Sequence, residues 1–304
     1  MKHELNSLQS YWETCCRLYV SGDKQGYPFI REEDNEAAKR KVLKMAEREA
    51  IIVKNNVDGY LIQQHVLNDR RVIDYFFTIE QFIIHKDISY LETQRQFRRA
   101  VFEEEQLIDD YILAADGHET VSKEELYRER KKMPRQTIHS EKNRFSYDRL
   151  EAVKYAERWW NDYNPAYKQF DNDCTNYVSQ CLRAGGAPMR GAPNRKEGWW
   201  YGDSKWSFSW AVAHSLRWYL SGSEKGLKAE EVSSAEQLMK GDIICYDFTG
   251  DGSWQHTTVV VEKDADQMPL VNAHTTNSRM RYWGYEDSTA WTPNIQYKFF
   301  HITG

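Results

Sequence analysis

The order of the patterned segments after residue 148 is the feature that most constrains the fold of this chain. Three segments with helical spacing come first, near residues 150–163, 174–184 and 209–220, and loops rich in Gly and Pro separate them. Four short β-branched or alternating runs follow, namely IICYDF, HTTVVVE, LVNAH and IQYKFFHI. Helices followed by strands that turns connect predict an α+β domain with helices packed on an antiparallel sheet.

The distribution of tryptophan divides the chain into two halves. All of the 11 Trp except Trp12 lie after residue 150, as do 12 of the 16 Gly. Residues 117–147 are charged and poor in apolar side chains, which is typical of a solvated helix and linker. We therefore predict an N-terminal domain at 1–116, a charged helical linker at 117–147 and a C-terminal domain at 148–304.

The first 116 residues predict a small α+β domain with long antiparallel strands. Residues 36–54 have the charge mix and apolar spacing of a surface helix, whereas 71–85 are rich in aromatic and β-branched side chains and favour a strand. Residues 88–113 fit either a helical stripe or two strands around the acidic residues 103–105, and we favour the strands. We expect this half to dock a partner or to orient substrate.

Composition and motifs exclude several classes of function. A net charge of −5 disfavours nucleic acid and a polybasic membrane anchor as partners, and no apolar run approaches the ~18 residues of a membrane helix. The first residues lack the apolar region of a secretory signal, so we predict a cytoplasmic protein that acts on a cell wall only if it is released or if a leader is missing. The sequence has no GxSxG, GxxxxGK[ST], GxGxxG or HExxH motif.

Metal and cofactor sites are not predicted either. The five cysteines are an odd number without CxxC pairs, which disfavours a disulfide framework and a zinc site. The stretch DFTGDGSW at 247–254 resembles part of a calcium loop but lacks the full series of ligands, so a tight hairpin turn is the better interpretation. We predict no metal and no cofactor.

Cys174 is the candidate nucleophile because of its place in the second helical segment. The buried face of that helix is predicted from the spacing of Tyr177, Val178, Cys181 and Leu182. Cys174 lies on the same face one turn earlier, at the helix N-terminus. The free N–H groups and the positive end of the helix dipole there favour a thiolate and can stabilise an oxyanion. From periodicity alone, a half-buried structural cysteine is the simpler interpretation.

A thiol nucleophile also needs a base that a third group holds in place. His256 opens the run HTTVVVE and His274 closes the run LVNAH, and the two are symmetric about residue 265. A hairpin folded at 265 would place the two imidazoles directly opposite each other, with Cβ atoms ~4.5–5.5 Å apart. With Cys174 they would form a complete constellation for acyl transfer.

Four motifs carry a resemblance to a known family. DCTNYVSQCL, GDIICYDF, WQHTTVVV and NAHTTN, in that order, resemble the putative amidase domain family of the papain-like superfamily, related to the NlpC-type and CHAP peptidases. The resemblance covers roughly 148–304. It implies Cys174 as nucleophile, His256 as general base and later acid, and His274 as the orienting group, with Asn272 or Asn277 in that role if the hairpin register shifts.

The resemblance also implies a papain-like fold and a reaction. The expected activity is cysteine-dependent cleavage of an amide or peptide bond through a Cys174 thioacyl intermediate, with a cell-wall peptide suggested by analogy alone. Papain-like enzymes have a further oxyanion donor upstream of the nucleophile, which makes Tyr163 and Gln169 candidates. We expect the side chain of Asp173 to cap the start of the helix rather than to point inward.

The tryptophans leave two interpretations of the second half open. The aromatic group at 199–210 could be core, which is the more cautious interpretation, or it could line a substrate groove, in which case the candidates are Trp199, Trp200 and Trp210. An amidase-like module that only binds through such a groove is the alternative to an enzyme. A third hypothesis keeps the same Cys and His but transfers the acyl group to an amine.

Overall fold

The computed structural model describes residues 2–21, 31–113 and 145–304. Within these ranges the first half has two helices and four strands. They are α1 (Lys2–Ser21), α2 (Glu32–Glu47), β1 (Ala50–Leu67), β2 (Arg70–His85), β3 (Ile88–Glu103) and β4 (Gln106–Ile112). Helix α1 packs on β2 and β3, and the ring of Trp12 stacks on Phe77 with centroids 3.6 Å apart. The described part of this half is thus a helical layer on long antiparallel strands.

The predictions for the first half differ from the structure at one boundary. The strand predicted at 71–85 is confirmed, and 88–113 forms two strands rather than a helix. The helix predicted over 36–54 ends at Glu47, and β1 begins at Ala50. Glu49 has a φ of 56°, which ends the helix, and the β-branched residues that follow favour the strand.

The second half contains four helices, one 3-10 turn and eight strands. The helices are α3 (Arg149–Trp159), α4 (Cys174–Ala184), α5 (Phe208–Ala211) and α6 (Ala213–Gly222), with the 3-10 turn at Ala235–Gln237. The strands are β5 (Tyr201–Gly202), β6 (Lys205–Trp206), β7 (Lys228–Val232), β8 (Ile243–Asp247), β9 (His256–Lys263), β10 (Pro269–Ala273), β11 (Asn277–Tyr282) and β12 (Gln296–Thr303).

The helical and strand patterns of the second half are largely confirmed. All four predicted runs are strands, and Asp148 caps α3 by accepting a hydrogen bond from the Glu151 N–H at 3.1 Å. The third predicted helix is divided into α5 and α6, because Val212 is extended with φ −119° and ψ 121°. The short strands β7 and β11 were not predicted.

One antiparallel sheet runs through both halves of the described chain. Its ten strands follow the order β1-β2-β3-β11-β10-β9-β8-β12-β7, with β4 also paired to β3. Strand β11 pairs with β3 from Asn277–Arg95 to Arg279–Thr93, and this pairing joins the two halves. The linker predicted at 117–147 lies outside the described residues except for 145–147, and the division into domains stays a prediction.

Helices α3, α4 and α6 cover one face of the C-terminal strands. Their shared core is fully buried at Val178, Cys181 and Leu182 of α4, and each large apolar side chain there contributes about 1.5–3 kcal/mol. Ile244, Tyr246, Val260 and Tyr285 belong to a separate core on the opposite face. Successive residues of β8 and β9 therefore point to different environments.

None of the described helices has the length and apolar character needed to cross a membrane.

Candidate active site

Helix α4 holds Cys174 against the first residues of β9. Cys174 is the first residue of the helix and its side chain is 5% exposed. Its Sγ lies 3.7 Å from Thr175 Oγ1, and the backbone and side chain of Thr257 lie close enough to lower the pKa of the thiol. The two threonine hydroxyls lie 3.1 Å apart. The candidate nucleophile therefore lies beside Thr257, the residue that follows His256.

Burial opposes the formation of a thiolate at Cys174. Desolvation raises the pKa of Cys174 above its ordinary value, while hydrogen bonds from Thr257 and Thr175 lower it and the charge of Asp173 raises it further. The thiolate expected from the helix N-terminus alone is therefore not favoured before substrate binds. The expectation was wrong because the position of a residue on a helix carries no information about its desolvation.

Asp173 does not cap α4, contrary to the prediction from sequence. Its side chain makes no capping bond, is 1% exposed and points inward. Oδ1 accepts hydrogen bonds from the Phe170 N–H at 3.0 Å and from Asn176 Nδ2 at 2.9 Å, and Oδ2 lies 2.8 Å from His274 Nδ1. A buried imidazole is a stronger partner for a carboxylate than a helix N–H group, which explains the inward orientation.

His274 is bonded on both sides of its ring. Nδ1 faces the carboxylate of Asp173, and Nε2 lies 2.7 Å from the carbonyl oxygen of Trp159. Both partners are acceptors, so the ring satisfies both only when it carries a proton on each nitrogen. The ring of Tyr177 stacks on the imidazole with centroids 4.1 Å apart, and the ring of Tyr163 meets it edge-on with centroids 5.0 Å apart. In this state His274 has no lone pair with which to orient another histidine.

The hairpin register explains why the two histidines do not meet. The symmetric hairpin would place His256 opposite His274, but Val259 pairs with Asn272, one residue out of that register, after a bulge in the ladder. A shift of one residue turns side chains to the other face of a sheet. His274 consequently contacts α4, whereas His256 lies with the aromatic residues of the opposite face.

His256 is half-buried at the start of β9 and bonded to Tyr285. Its Nε2 lies 3.2 Å from Tyr285 Oη. The ring centroids of Tyr246 and Phe248 lie 5.6 and 6.1 Å from the centroid of the imidazole. Burial, together with the positive charge of Arg281, lowers the pKa of His256 to about 3. The imidazole is therefore neutral at neutral pH and has one nitrogen free to accept a proton. Within the described ranges no hydrogen bond links His256 to Cys174.

The carboxylate of Asp247 orders the loop that leads into β9. The carboxylate of Asp247 accepts hydrogen bonds from the N–H groups of Gly250 at 2.8 Å and Gly252 at 2.6 Å, and Gly252 has a φ of 84°. The hairpin predicted at 247–254 is present, but residues 248–255 form an open loop between its strands rather than a tight turn. In the described part of the chain, no three His, Cys, Asp or Glu side chains are grouped to hold a metal ion.

The alternative orienting and oxyanion residues form a separate cluster. Asn272 donates to Glu157 Oε1 at 2.8 Å and accepts from the Met280 N–H at 2.9 Å. The side chains of Asn277 and Gln169 lie near the hydroxyl of Tyr163 and lower its pKa, and Tyr163 contacts the ring of His274. The structure thus brings Tyr163, Gln169, Asn277 and His274 together, and it places none of them in a hydrogen bond with His256.

Thr275 is a site residue that the sequence reasoning missed. Its Oγ1 accepts hydrogen bonds from the N–H groups of Asp173 at 3.0 Å and of Cys174 at 3.2 Å. The residue is exposed and has a φ of 84°, an outlier for a β-branched side chain. Two N–H groups beside the thiol therefore converge on one oxygen. The signal in the sequence was the place of Thr275 inside the NAHTTN motif, directly after His274.

The tryptophans lie in the core rather than on a groove. Trp199 and Trp210 are 0% exposed and Trp200 is 3% exposed. The indole N–H of Trp199 donates to Ser179 Oγ at 2.9 Å, and that of Trp210 donates to Asn176 Oδ1 at 2.8 Å. Both hydrogen bonds are made to side chains on the buried face of α4, so these tryptophans stabilise the helix that carries Cys174.

Comparison with known proteins places the chain in a family. The model of the family described as putative amidase domain matches residues 146–300. The uncharacterized protein YhbB of Bacillus subtilis (strain 168) is 49% identical over 276 residues, which covers 86% of each chain. YjcM of the same organism, also uncharacterized, is 35% identical over 140 residues, covering 43% of this chain and 31% of YjcM. No solved structure matches. Since the family model spans half of the sequence, the chain belongs to the putative amidase domain family.

Proposed function

We propose that the protein is a cysteine-dependent amidase in which Cys174 is the nucleophile and His256 is the general base. The observation that carries the proposal is the hydroxyl of Thr275, which sits on the N–H groups of Asp173 and Cys174 beside the thiol. A carbonyl oxygen bound in its place would be stabilised as negative charge develops during attack by sulfur.

The geometry of these two N–H groups suits an oxyanion. Their distances of 3.0 and 3.2 Å to Thr275 Oγ1 are ordinary hydrogen-bond lengths, and the positive end of α4 adds a favourable field. Thr275 is exposed and its backbone is strained, so a substrate carbonyl can displace the hydroxyl when the residue relaxes.

The resting protonation states indicate when the proton moves. The pKa of Cys174 is raised by burial and that of His256 is lowered to about 3, so both groups are neutral in the free protein. No hydrogen bond between described residues joins His256 to Cys174 in the free protein, so we propose that a bridging water carries the thiol proton to the imidazole as sulfur attacks, and that the imidazole returns the proton to the leaving amine. Water activated by the same imidazole releases the acyl group from Cys174.

We propose a peptide or simple amide as the substrate class. A thiol attacking a carbonyl beside an oxyanion site suits a peptide or simple amide, and a cell-wall peptide is the analogy that the family suggests. Tyr163, Gln169 and Asn277, which form one polar cluster near His274, are proposed to contact the substrate near the leaving group.

Alkylation of Cys174 tests the proposed chemistry without a known substrate. Iodoacetamide labelling is followed at each cysteine by peptide mass spectrometry from pH 5 to pH 9. We expect Cys174 to react faster than Cys181 and Cys245, which are also buried and serve as internal controls. His256→Ala should slow the labelling of Cys174 about tenfold or more, because general-base assistance is lost.

Two outcomes oppose the proposal. Labelling of Cys174 at the rate of Cys245, unchanged by His256→Ala, would indicate the alternative of a binding module without catalysis. Peptide amides and muropeptides offered to the wild type and to Cys174→Ala give the second arm. Equal release of amine by both proteins would exclude Cys174 as the nucleophile.

A further inference from the structure

The hydrogen bond between His256 and Tyr285 has a direction that matters for the proposed reaction. Tyr285 Oη also lies 3.4 Å from Ser278 Oγ, so its own proton can be donated there while it accepts from His256 Nε2–H at 3.2 Å. With the bonds in this direction, the proton of the imidazole stays on Nε2 and the lone pair lies on Nδ1. Selecting one tautomer in this way is what the third member of a catalytic triad does.

We propose that Tyr285 is the residue that positions His256, and that the N-terminal half of the chain holds Tyr285 in place through buried ion pairs. The inference rests on the proposed function, since it assigns the group that orients the proposed base. It replaces His274 and the two asparagines in that role, because each of them is bonded elsewhere.

Tyr285 is held in a conformation that its own backbone does not favour. It is 3% exposed with a φ of 58°, and such a conformation persists only where the surroundings enforce it. The guanidinium of Arg281 lies 3.9 Å from the centroid of its ring. Arg281 in turn donates two hydrogen bonds to Asp287 Oδ1, at 2.9 and 2.7 Å. Arg281 and Asp287 therefore determine where the phenol lies.

The other carboxylate oxygen of Asp287 is bonded to the N-terminal half. Oδ2 accepts from Lys41 Nζ of α2 at 3.0 Å and from Gln94 Nε2 of β3 at 2.7 Å. Lys41 also pairs with Glu92, and the side chains of Lys41 and Glu92 are 5% and 1% exposed. Removing one partner of such a buried ion pair is strongly unfavourable, so this connection is rigid. The N-terminal half is thereby part of the structure that positions the base.

The charged and titratable groups around His256 come from several elements. Tyr246 faces it from β8, Arg281 acts on it from β11 and Tyr285 faces it from the following loop. Arg281 disfavours the protonated imidazole, which keeps the lone pair available. A variant that removes only the phenol hydroxyl leaves this charge in place and isolates the effect of the hydrogen bond.

Tyr285→Phe tests the inference with two readouts. We expect the labelling of Cys174 by iodoacetamide to slow about tenfold, the effect of one net hydrogen bond, and the imidazole nitrogens of His256 to report a mixture of tautomers by NMR. Tyr297→Phe is the matched control, because it removes a hydroxyl that donates to the Gly284 carbonyl at 2.8 Å in the same loop. The control should leave both readouts unchanged.

Lys41→Gln tests the contribution of the N-terminal half. It should shift the His256 nitrogens toward the same mixture of tautomers, and Lys41→Arg, which keeps the charge, should restore them. If Tyr285→Phe labels Cys174 at the wild-type rate and keeps a single His256 tautomer, the role of Tyr285 is overturned. If the His256 spectrum is unchanged in Lys41→Gln, the role of the N-terminal half is overturned. If Cys174 is labelled in His256→Ala as fast as in the wild type, the proposed function itself has failed. If labelling of Cys174 is slow in His256→Ala but not in Tyr285→Phe, this inference alone has failed.

Discussion

Replacing Asp173 by alanine should destabilise the protein strongly, because this carboxylate is the buried connection between α4 and β10. The variant removes the acceptor for the Phe170 N–H, for the Asn176 amide and for His274 Nδ1. It leaves a buried imidazole without its ionic partner. Breaking a buried pair from one side costs about 3–5 kcal/mol, and we expect a loss in that range.

Asp173→Asn should be much milder, for a reason that depends on the protonation of His274. The amide oxygen can still accept from Phe170 and Asn176, while its Nδ2 donates to Nδ1 of a neutral His274. The Nε2–H of that ring still donates to the carbonyl of Trp159. Every partner is satisfied, so only the strengthening by charge is lost, which costs about 1–2 kcal/mol.

Urea unfolding followed by fluorescence and circular dichroism measures both free energies of unfolding. Asp171→Ala is the matched control, since Asp171 is exposed and lies two residues away, and its effect should stay within about 0.5 kcal/mol. The reasoning would be refuted if Asp173→Ala cost less than about 1 kcal/mol, or if the alanine and asparagine variants were equally destabilised.

Three further results are expected. Thr275→Gly removes the hydroxyl that binds the N–H groups of Asp173 and Cys174, and it relieves the strain of a φ of 84°. Cys174 should then react faster with iodoacetamide than in the wild type. A slower reaction would contradict the idea that this hydroxyl competes for the two N–H groups. Because the pKa of His256 falls from 6.5 to about 3 on folding, the unfolded state binds more protons between these values, and the free energy of unfolding should rise with pH there. His256→Gln should flatten that dependence in urea titrations at pH 5 and pH 7. Trp210→Phe leaves the buried Asn176 Oδ1 without its donor and should cost about 2–4 kcal/mol by chemical denaturation, and a cost near zero would contradict its place in the core.

Much of the second half was predictable because its signals are local. The spacing of Tyr177, Val178, Cys181 and Leu182 correctly predicted the buried face of α4, since helical periodicity depends only on neighbouring residues. The β-branched runs predicted β8, β9, β10 and β12 for the same reason. Strand β11 escaped prediction because its burial depends on pairing with β3, far away in the sequence.

The partners of the functional side chains were not predictable in this way. A single bulge between β9 and β10 moved His274 to the face of α4 and left His256 beside Tyr285. The hydrophobic pattern of two strands does not predict a bulge between them, because the same pattern is compatible with more than one pairing register. Asp173 pointed inward for a related reason: its best partner, His274, is supplied by another strand.

Local patterns in the chain were enough to predict that Cys174 begins a buried helix, that His256 begins a strand and that the second half combines helices with antiparallel strands. These features follow from short-range periodicity and turn residues. The partners of Cys174, His256 and His274 became known from the three-dimensional contacts, as did the connection of Lys41 and Gln94 of the first half to Tyr285 through Asp287. Such contacts depend on the register of a ten-stranded sheet and on loops with positive φ, and both are set by packing between residues distant in sequence.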